Sequence, residues 1–198
     1  MRAAKPLSAL ILAAGQSRRF GGGKLRATWN DRPLILWAIE AALAAPVLEV
    51  ILVWGGDPLI LPLLPSDPRL KTVHCEDHLQ GMGASLAAGL RAIDAETAGV
   101  YVFLGDMPRV PAALTSGMAE VLEGQVKAVA PEFDGQRGHP VLLSAALIPK
   151  LLTLTGDQGA GIVLKDLGDG LILVPAPDDG CLFDIDRPDD LNASMLRP

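Results

Sequence analysis

The chain has 198 residues, of which 49% are hydrophobic and 20% charged, and its net charge is −6 at pH 7. This composition excludes a disordered chain, no apolar stretch has membrane-spanning length, and the size predicts a single domain over residues 1–198. The acidic balance argues against nucleic acid or an anionic membrane as a partner, and two cysteines without metal-ligand spacing suit a reducing cytoplasm.

Apolar runs rich in β-branched residues alternate along the chain with segments of helical period. The first run, residues 7–13, predicts a core strand rather than a signal peptide, because glycines and arginines follow it at once. Later strands are predicted in VLEVILVW, GVYVFLGD, VKAVAPEF and LILVPA, with helices between them, including 144–153, 157–167 and one from Pro188. This order predicts an α/β fold with a mostly parallel sheet covered on both faces, which binds ligands at the carboxyl ends of its strands.

The segment LILAAGQSRRFGGGK, residues 10–24, continues directly from the first predicted strand into a glycine-rich loop. Glycine lets backbone N–H groups approach an anion, and Arg18, Arg19, Lys24 and Arg26 supply positive charge. The spacing matches neither the dinucleotide fingerprint nor the P-loop. We expect a polyphosphate site here; a flexible basic surface loop is the alternative that these residues leave open.

Aspartates in two segments are candidates for holding a divalent cation. Asp106 follows the strand predicted in GVYVFLGD, and Asp184 and Asp186 lie two apart in DIDRPDDL, which predicts a strand with both carboxylates on one face. Mg²⁺ prefers one or two carboxylates together with phosphate oxygens and water. Structural roles stay open, because Asp106 can cap the next helix and Asp186 can lie at the N-terminus of the helix from Pro188.

Two glycine-containing turns are further candidates for ligand binding. In GMGASL, Gly81 and Gly83 precede a helix with Ser85 in its first turn, which predicts either an anion or base contact or only a tight turn. A leucine stands where a dinucleotide fingerprint has its third glycine, so NAD is excluded. In GQRGHPV, Arg137 and His139 precede an apolar strand, and we expect them to bind an anionic substrate.

The segment HCEDH, residues 74–78, contains residue types that ligate zinc. His74 and His78 would share one face of a helix, but the segment follows a predicted strand and turns before Gly81. Because such ligands would not converge, we predict no zinc site here.

Together, the motifs LAAGQSRRFGGGK, GMGASL, GDMP, GQRGHPV, GDQGA and DIDRPDDL occur in the order found in nucleotidyltransferases of the MobA-like family. The chain resembles this family from about residue 8 to residue 192, and most resembles its branch of molybdenum cofactor cytidylyltransferases. The resemblance implies a three-layer α/β/α fold with a Rossmann-like sheet, of the nucleotide-diphospho-sugar transferase type.

The resemblance also implies roles in phosphate and metal binding. Arg19 and Lys24, with Gly15, would hold the triphosphate and serve catalysis. Asp106 would be a ligand of Mg²⁺, with Asp186 as the second ligand or, less in keeping with the family pattern, Asp184.

The same resemblance implies which other residues would bind the nucleotide and the acceptor. Arg137 and His139 would lie near the pterin acceptor. Gly161 departs from the family, which has arginine at the end of this GDxGAR motif, and Phe20 and the pair Glu76-Asp77 also depart from it. The residues that would bind the nucleotide come from the first loop and the GMGASL segment: Leu12, Ala13, Ala14, Gly15, Gly81, Gly83 and Ser85.

The implied reaction is transfer of CMP from CTP to a molybdopterin-type molybdenum cofactor, with release of pyrophosphate. Ala14 favours CTP, because the cytidylyl branch has alanine at the third place of LAAG and the guanylyl branch tends to have glycine. The alternatives are a guanylyl- or other NTP transferase acting on molybdopterin or on a sugar- or lipid-precursor phosphate, and a non-catalytic maturation factor. The expected protein partner is a molybdoenzyme or its chaperone.

Overall fold

A computed structural model describes residues 6–193 of the chain, so the predicted bounds of the domain at 1 and 198 lie outside the described residues. No helix in this range is long and apolar enough to cross a membrane. The strands of this range are β1 Leu7–Ala13, β2 Thr28–Trp29, β3 Arg32–Pro33, β4 Glu49–Trp54, β5 Leu70–His74, β6 Gly99–Leu104, β7 Ala128–Phe133, β8 Gln136–Arg137, β9 Val141–Ser144 and β10 Leu171–Pro175. The helices are α1 Leu34–Ala44, α2 Met82–Ala92, α3 Ala112–Val121, α4 Ile148–Leu151, α5 Gly161–Lys165 and α6 Asp190–Ala193.

The main sheet has the order β10-β7-β9-β6-β1-β4-β5, with β8 paired to β7, while β2 and β3 form a separate antiparallel pair. Strand β1 lies at the centre of the parallel part and pairs with β4 and β6 in the same direction. Strand β9 runs antiparallel to both of its neighbours, β6 and β7. The predicted mostly parallel α/β sheet is therefore confirmed, with one reversed strand inside it.

The side chains of successive strand residues alternate between two hydrophobic cores, one on each face of the sheet. On one face, Ile11 and Phe103 pack against helices α1 and α3, and on the other, Leu10 and Val102 pack with α2, α4 and α5. All four side chains are almost fully buried. Neighbouring residues of a strand face opposite sides of the sheet, so strands that are apolar at successive positions make both faces of the sheet apolar. Helices cover both faces, which gives the predicted three layers.

The carboxyl ends of β1 and β6 meet at the centre of the sheet. Leu12 pairs with Leu104, and the backbone N–H of Gly105 donates to the carbonyl of Leu12 at 3.0 Å. The loop that follows β1 and the residue Asp106 that follows β6 therefore begin side by side.

Two predicted elements were wrong in extent or type. The helix predicted at 157–167 is limited to α5, because the residues before it form turns against the N-terminus of α2, where Gly83 N–H donates to Gly156 O. No strand forms at 184–186, since the alternation of apolar and acidic residues there resembles a strand but no neighbouring strand pairs with it. Instead, the N–H of Ile185 donates to the carbonyl of Asp106 at 3.1 Å.

The amino ends of the central strands are joined by a buried carboxylate. Glu49, 5% exposed at the start of β4, accepts hydrogen bonds from Ser8 Oγ at 3.0 Å, from the N–H of Asp94 at 2.6 Å and from Lys71 Nζ at 2.8 Å. Burial raises the pKa of Glu49, but these hydrogen bonds outweigh it and hold the pKa below its ordinary value of 4.5. The network thus ties β1, β4 and β5 together through a charged group.

We predict that Glu49→Gln lowers the free energy of unfolding near neutral pH by about 1–3 kcal/mol, because a charged acceptor in a buried network is lost. A carboxylate with a lowered folded pKa stabilises the protein above its ordinary pKa, and that contribution disappears as the pH falls through the folded value. The difference from wild type should therefore shrink below pH 4.5.

Urea denaturation of both proteins at about pH 7 and about pH 3.5 measures this difference. The control is Glu40→Gln on the exposed side of α1, which should change stability little at either pH. A difference between wild type and Glu49→Gln that is equal at both pH values would show that the charge of Glu49 does not contribute.

Candidate functional site

A cavity of about 460 Å³ opens at the carboxyl ends of β1 and β6. Its wall comes from the loop after β1, the N-terminal turn of α2 and the residues that follow β6. The structure therefore brings most of the predicted nucleotide and catalytic residues into one cavity wall: Leu12, Ala13, Ala14, Gly15, Lys24, Gly81, Ser85 and Asp106.

Several residues of this wall were not among the predicted site residues. Arg18 is one of the loop cations, and His78, Leu79 and Met82 lie at the N-terminal end of α2. Asp157, in GDQGA, reaches the cavity only because the chain returns across α2, which local sequence cannot reveal. The further wall residues are Gln16, Ser17, Arg18, Leu25, His78, Leu79, Met82, Leu104 and Asp157.

The ammonium of Lys24 lies between two carboxylates at the floor of this site. Nζ donates to Asp106 Oδ2 at 2.5 Å and to Asp186 Oδ1 at 3.3 Å, and Lys24 is only 8% exposed. Burial lowers the pKa of Lys24, but the charge of Asp106 and the hydrogen bonds to both carboxylates raise it above its ordinary value of 10.5. One buried cation therefore joins the loop after β1 to residues that lie far along the chain.

Arg19 approaches Asp186 from the solvent side. Its Nη1 donates to Asp186 Oδ2 at 2.7 Å, while the N–H groups of Asp186 and Arg187 donate to the carboxylate of Asp190 at 2.9 and 2.7 Å. Burial raises the pKa of Asp186, but the hydrogen bonds and charges of Lys24 and Arg19 outweigh it and lower the pKa below 3.8. Asp186 is therefore held as an anion, and Asp190 fixes its backbone.

Asp184 lies near the carboxylates of Asp106 and Asp186, but its pKa is shifted in the direction opposite to that of Asp186. Partial loss of hydration raises the pKa of Asp184 above 3.8, and the charges of Asp106 and Asp186 raise it further. The hydrogen bonds of Lys24 go to Asp106 and Asp186. This asymmetry favours Asp186 over Asp184 as the partner of Asp106.

Arg137 and His139 lie outside the wall of the cavity. The guanidinium of Arg137 is exposed and reaches Gly161, where an added Cβ would stand 3.5 Å from Nη2. His139 Nδ1 is buried without a hydrogen-bond partner in the described part of the chain. Burial lowers the pKa of His139 below 6.5, so its ring is neutral at neutral pH and, unlike Arg137, offers an anion no positive charge.

The GMGASL turn packs against a second turn of the chain. A Cβ on Gly81 would stand 2.3 Å from the carbonyl carbon of Gly156, and Gly81 has φ +109°. A Cβ on Gly83 would stand 3.0 Å from the backbone of Leu154, and Gly83 does not line the cavity. Gly81 therefore shapes the wall directly, whereas Gly83 permits close packing behind it.

The HCEDH segment turns at the end of β5, and its two histidines have different surroundings. The His74 ring stacks on Trp54 with centroids 4.2 Å apart, while His78 Nδ1 lies 3.0 Å from the carbonyl oxygen of Cys75. Across residues 6–193, no group of three or more His, Cys, Asp or Glu side chains is arranged to hold a metal ion.

A family model described as the MobA-like NTP transferase domain matches residues 9–171, which is most of the chain. The chain belongs to this family. Among the proteins similar to this chain are purine catabolism protein PucB of Bacillus subtilis, 30% identical with 93% of each chain covered, and a molybdenum cofactor guanylyltransferase of Cereibacter sphaeroides, 31% identical over 96% of this chain and 97% of that one. The molybdenum cofactor cytidylyltransferase of Escherichia coli is 26% identical, with 96% of each chain covered.

Solved structures support the same MobA-like architecture. A homologue of Mycobacterium tuberculosis Rv0371c from Mycobacterium sp. strain JC1 superposes with a TM-score of 0.81 at 25% identity, covering 96% of this chain and 94% of that chain. The resemblance inferred from the motifs is therefore confirmed at the level of family and fold.

We predict that Gly81→Ala lowers the free energy of unfolding by about 1–3 kcal/mol and weakens nucleotide binding. The Cβ of the alanine would collide with the backbone of Gly156, and alanine is strained at the positive φ of this position. Gly117→Ala is the matched control: this glycine lies exposed in α3 with open space around it, so alanine should be neutral or stabilising. Chemical denaturation and calorimetric titration with CTP measure both effects. Equal stability of the two variants would contradict the close packing of the two turns.

Proposed function

We propose that this MobA-like protein is an enzyme that transfers CMP from CTP to the terminal phosphate of a molybdopterin-type molybdenum cofactor. The observation that carries the proposal is the cluster of Lys24, Asp106 and Asp186 beside a glycine-rich loop, with Lys24 and Asp106 in the wall of the cavity. A binding protein needs cations for phosphate, but it does not need two carboxylates that converge on one cation position. This arrangement therefore favours phosphoryl chemistry over the non-catalytic maturation factor.

In the proposed reaction a phosphate oxygen of the acceptor forms a bond to the α-phosphorus of CTP, and the bond from that phosphorus to the bridging oxygen of the β-phosphate breaks. Pyrophosphate leaves with the electron pair of that bond. The attacking phosphate is already an anion near neutral pH, so no general base is required. The protein's contribution is positioning and neutralisation of negative charge, to which Lys24 and Arg19 are suited.

The two carboxylates fit a divalent cation. Asp106 and Asp186 both hydrogen-bond the same ammonium group, so they already converge on one position for positive charge. Two carboxylates suit Mg²⁺, which takes its remaining ligands from phosphate oxygens and water. When bound there, Mg²⁺ would stabilise the negative charge that develops on the phosphates.

Lys24 and Arg19 then have two competing sets of anionic partners. In the structure Lys24 binds the carboxylates of both Asp106 and Asp186, and Arg19 binds that of Asp186. Triphosphate oxygens compete for the same donors, and their binding frees the carboxylates for a metal ion. Nucleotide and metal should therefore bind more tightly together than either binds alone.

The choice of CTP rests on Ala14, which is 3% exposed and lines the cavity. Its methyl group narrows the slot at the end of β1, which favours a single-ring pyrimidine over a purine. Guanylyl transfer is the second candidate function. The molybdenum cofactor guanylyltransferase of Cereibacter sphaeroides is 31% identical to this chain, whereas the molybdenum cofactor cytidylyltransferase of Escherichia coli is 26% identical.

The acceptor would approach from the side of Arg137. This exposed guanidinium lies over Gly161, so it supplies a cation where the GDQGAG segment has none. A molybdoenzyme or its chaperone, in the cytoplasm, would receive the product.

We predict that kcat/KM for CTP exceeds that for GTP by roughly ten- to a hundredfold, because groups set to pair with cytosine are left unpaired by guanine. Ala14→Gly should narrow this ratio, and Asp106→Asn should lower turnover by on the order of a hundredfold. The assay measures pyrophosphate release with each of the four NTPs, Mg²⁺ and molybdenum cofactor. Equal or better use of GTP would establish the guanylyl reading, and no release with any NTP would favour the maturation factor.

We also predict that Lys24→Met increases the affinity of the nucleotide-free protein for Mn²⁺ by roughly tenfold, the scale of one charge-assisted hydrogen bond. The variant removes a competing cation from between Asp106 and Asp186, although it should weaken CTP binding. Electron paramagnetic resonance of free Mn²⁺ measures the affinity with and without CTP. Arg26→Met is the control, since Arg26 pairs with Asp57 at 2.8 Å instead; an unchanged or weaker Mn²⁺ affinity in Lys24→Met would overturn the competition.

A further inference from the structure

We propose that His78 reads the exocyclic amino group of the base and thereby separates CTP from UTP. The inference rests on the proposed function and adds a specificity-determining residue to it. His78 is half-buried in the wall of the cavity that also contains Ala14 and Ser85. It belongs to the HCEDH segment, and its ring contacts backbone and glycines rather than the side chains of a metal site.

One nitrogen of the His78 ring is committed to the protein backbone. Nδ1 lies 3.0 Å from the carbonyl oxygen of Cys75, which also accepts the backbone N–H of His78 at 3.2 Å. A carbonyl oxygen can only accept hydrogen bonds, so Nδ1 carries the proton. In the neutral ring Nε2 is then a lone-pair acceptor, and it is the one polar ring atom left to meet a ligand.

The ring is also fixed in place by two glycines. A Cβ on Gly55 would stand 2.6 Å from the ring carbon Cγ of His78, and one on Gly56 would stand 3.2 Å from Nε2. The same Cβ on Gly55 would stand 3.0 Å from the carbonyl oxygen of Ala14. Glycine at both positions therefore admits the imidazole against the loop of Ala14, the residue already assigned to base selection.

The wall of the cavity contains both cations and apolar side chains. Lys24 and Arg18 supply the cations, which suit the phosphates. Leu79 and Met82, which lie with His78 at the N-terminal end of α2, are 65% and 44% exposed although both are large and apolar. A planar base would cover these side chains and would then lie beside His78. The carboxylate of Asp157, close to Gly81, belongs to the same part of the wall.

Cytosine and uracil differ in the groups that they present to such an acceptor. Cytosine has the N4 amino group, which donates, whereas uracil has the O4 carbonyl, which accepts. Nε2 of His78 would form a hydrogen bond with the first and face a lone pair on the second. Ala14 thus selects a single-ring base over a double-ring base. His78 selects a base that presents a hydrogen-bond donor over one that presents an acceptor.

The test is His78→Phe, which keeps a ring between Gly55 and Gly56 but removes the acceptor. We expect the ratio of kcat/KM for CTP to that for UTP to fall by roughly tenfold or more, mainly through loss of CTP binding. Calorimetric titration with CTP and with UTP, in the absence of acceptor, separates binding from turnover. His78→Gln, which retains an acceptor oxygen, should recover part of the ratio.

The matched control is His74→Phe, which changes the neighbouring exposed histidine stacked on Trp54 and should leave the ratio unchanged. A proportional loss for CTP and UTP in His78→Phe, or an unchanged ratio, would overturn the inference and leave His78 a packing residue. If the wild-type protein binds no nucleotide, the proposed function fails together with the inference. If it binds NTPs but prefers a purine, the assignment of cytosine and the role of His78 fail together, while the proposal of nucleotidyl transfer stands.

Discussion

The pairing of Lys24 with Asp106 and Asp186 is the constraint on which the organisation of this site depends. Its partners are 82 and 162 residues further along the chain, so one ammonium group gathers three distant segments. An ion pair shielded from water is favourable only when its geometry is good and each charge is compensated. The hydrogen bond from Arg19 to the carboxylate of Asp186 adds to this compensation. The backbone N–H of Asp186 donates to the carboxylate of Asp190, which fixes the backbone beside the ion pair.

The buried Glu49 network and the proposed site lie at opposite ends of the same strands. At the amino ends, Glu49 accepts several hydrogen bonds and joins neighbouring strands. At the carboxyl ends, carboxylates are paired with Lys24 and Arg19, the cations that bind phosphate in the proposed function. Between them, residues 9–11 of β1 form a fully buried apolar run, so rearrangement of ion pairs at one end need not disturb the network at the other.

Periodicity of the sequence predicted most of the sheet, because continuous apolar runs such as 7–13 are needed by strands covered on both faces. It failed at 184–186, where alternating Phe183 and Ile185 resemble a strand but no partner strand is present. Local motifs placed Lys24 and Asp106 in one cavity, since both follow the carboxyl ends of central strands. They could not indicate His78 or Asp157, because these residues reach the cavity through packing of turns that are distant in sequence.

The position of Asp186 along the chain places the completion of the site and of the core in the same late segment. Every strand described here is complete by Pro175, whereas Asp186 and the bracing carboxylate of Asp190 come later. The same segment contains Cys181 and Ile185, which are fully buried in the core that also contains Ile11 and Phe103. Truncation after β10 would therefore leave all of the strands but would remove the second carboxylate and part of the core together, so folding and assembly of the cation site finish with one stretch of sequence.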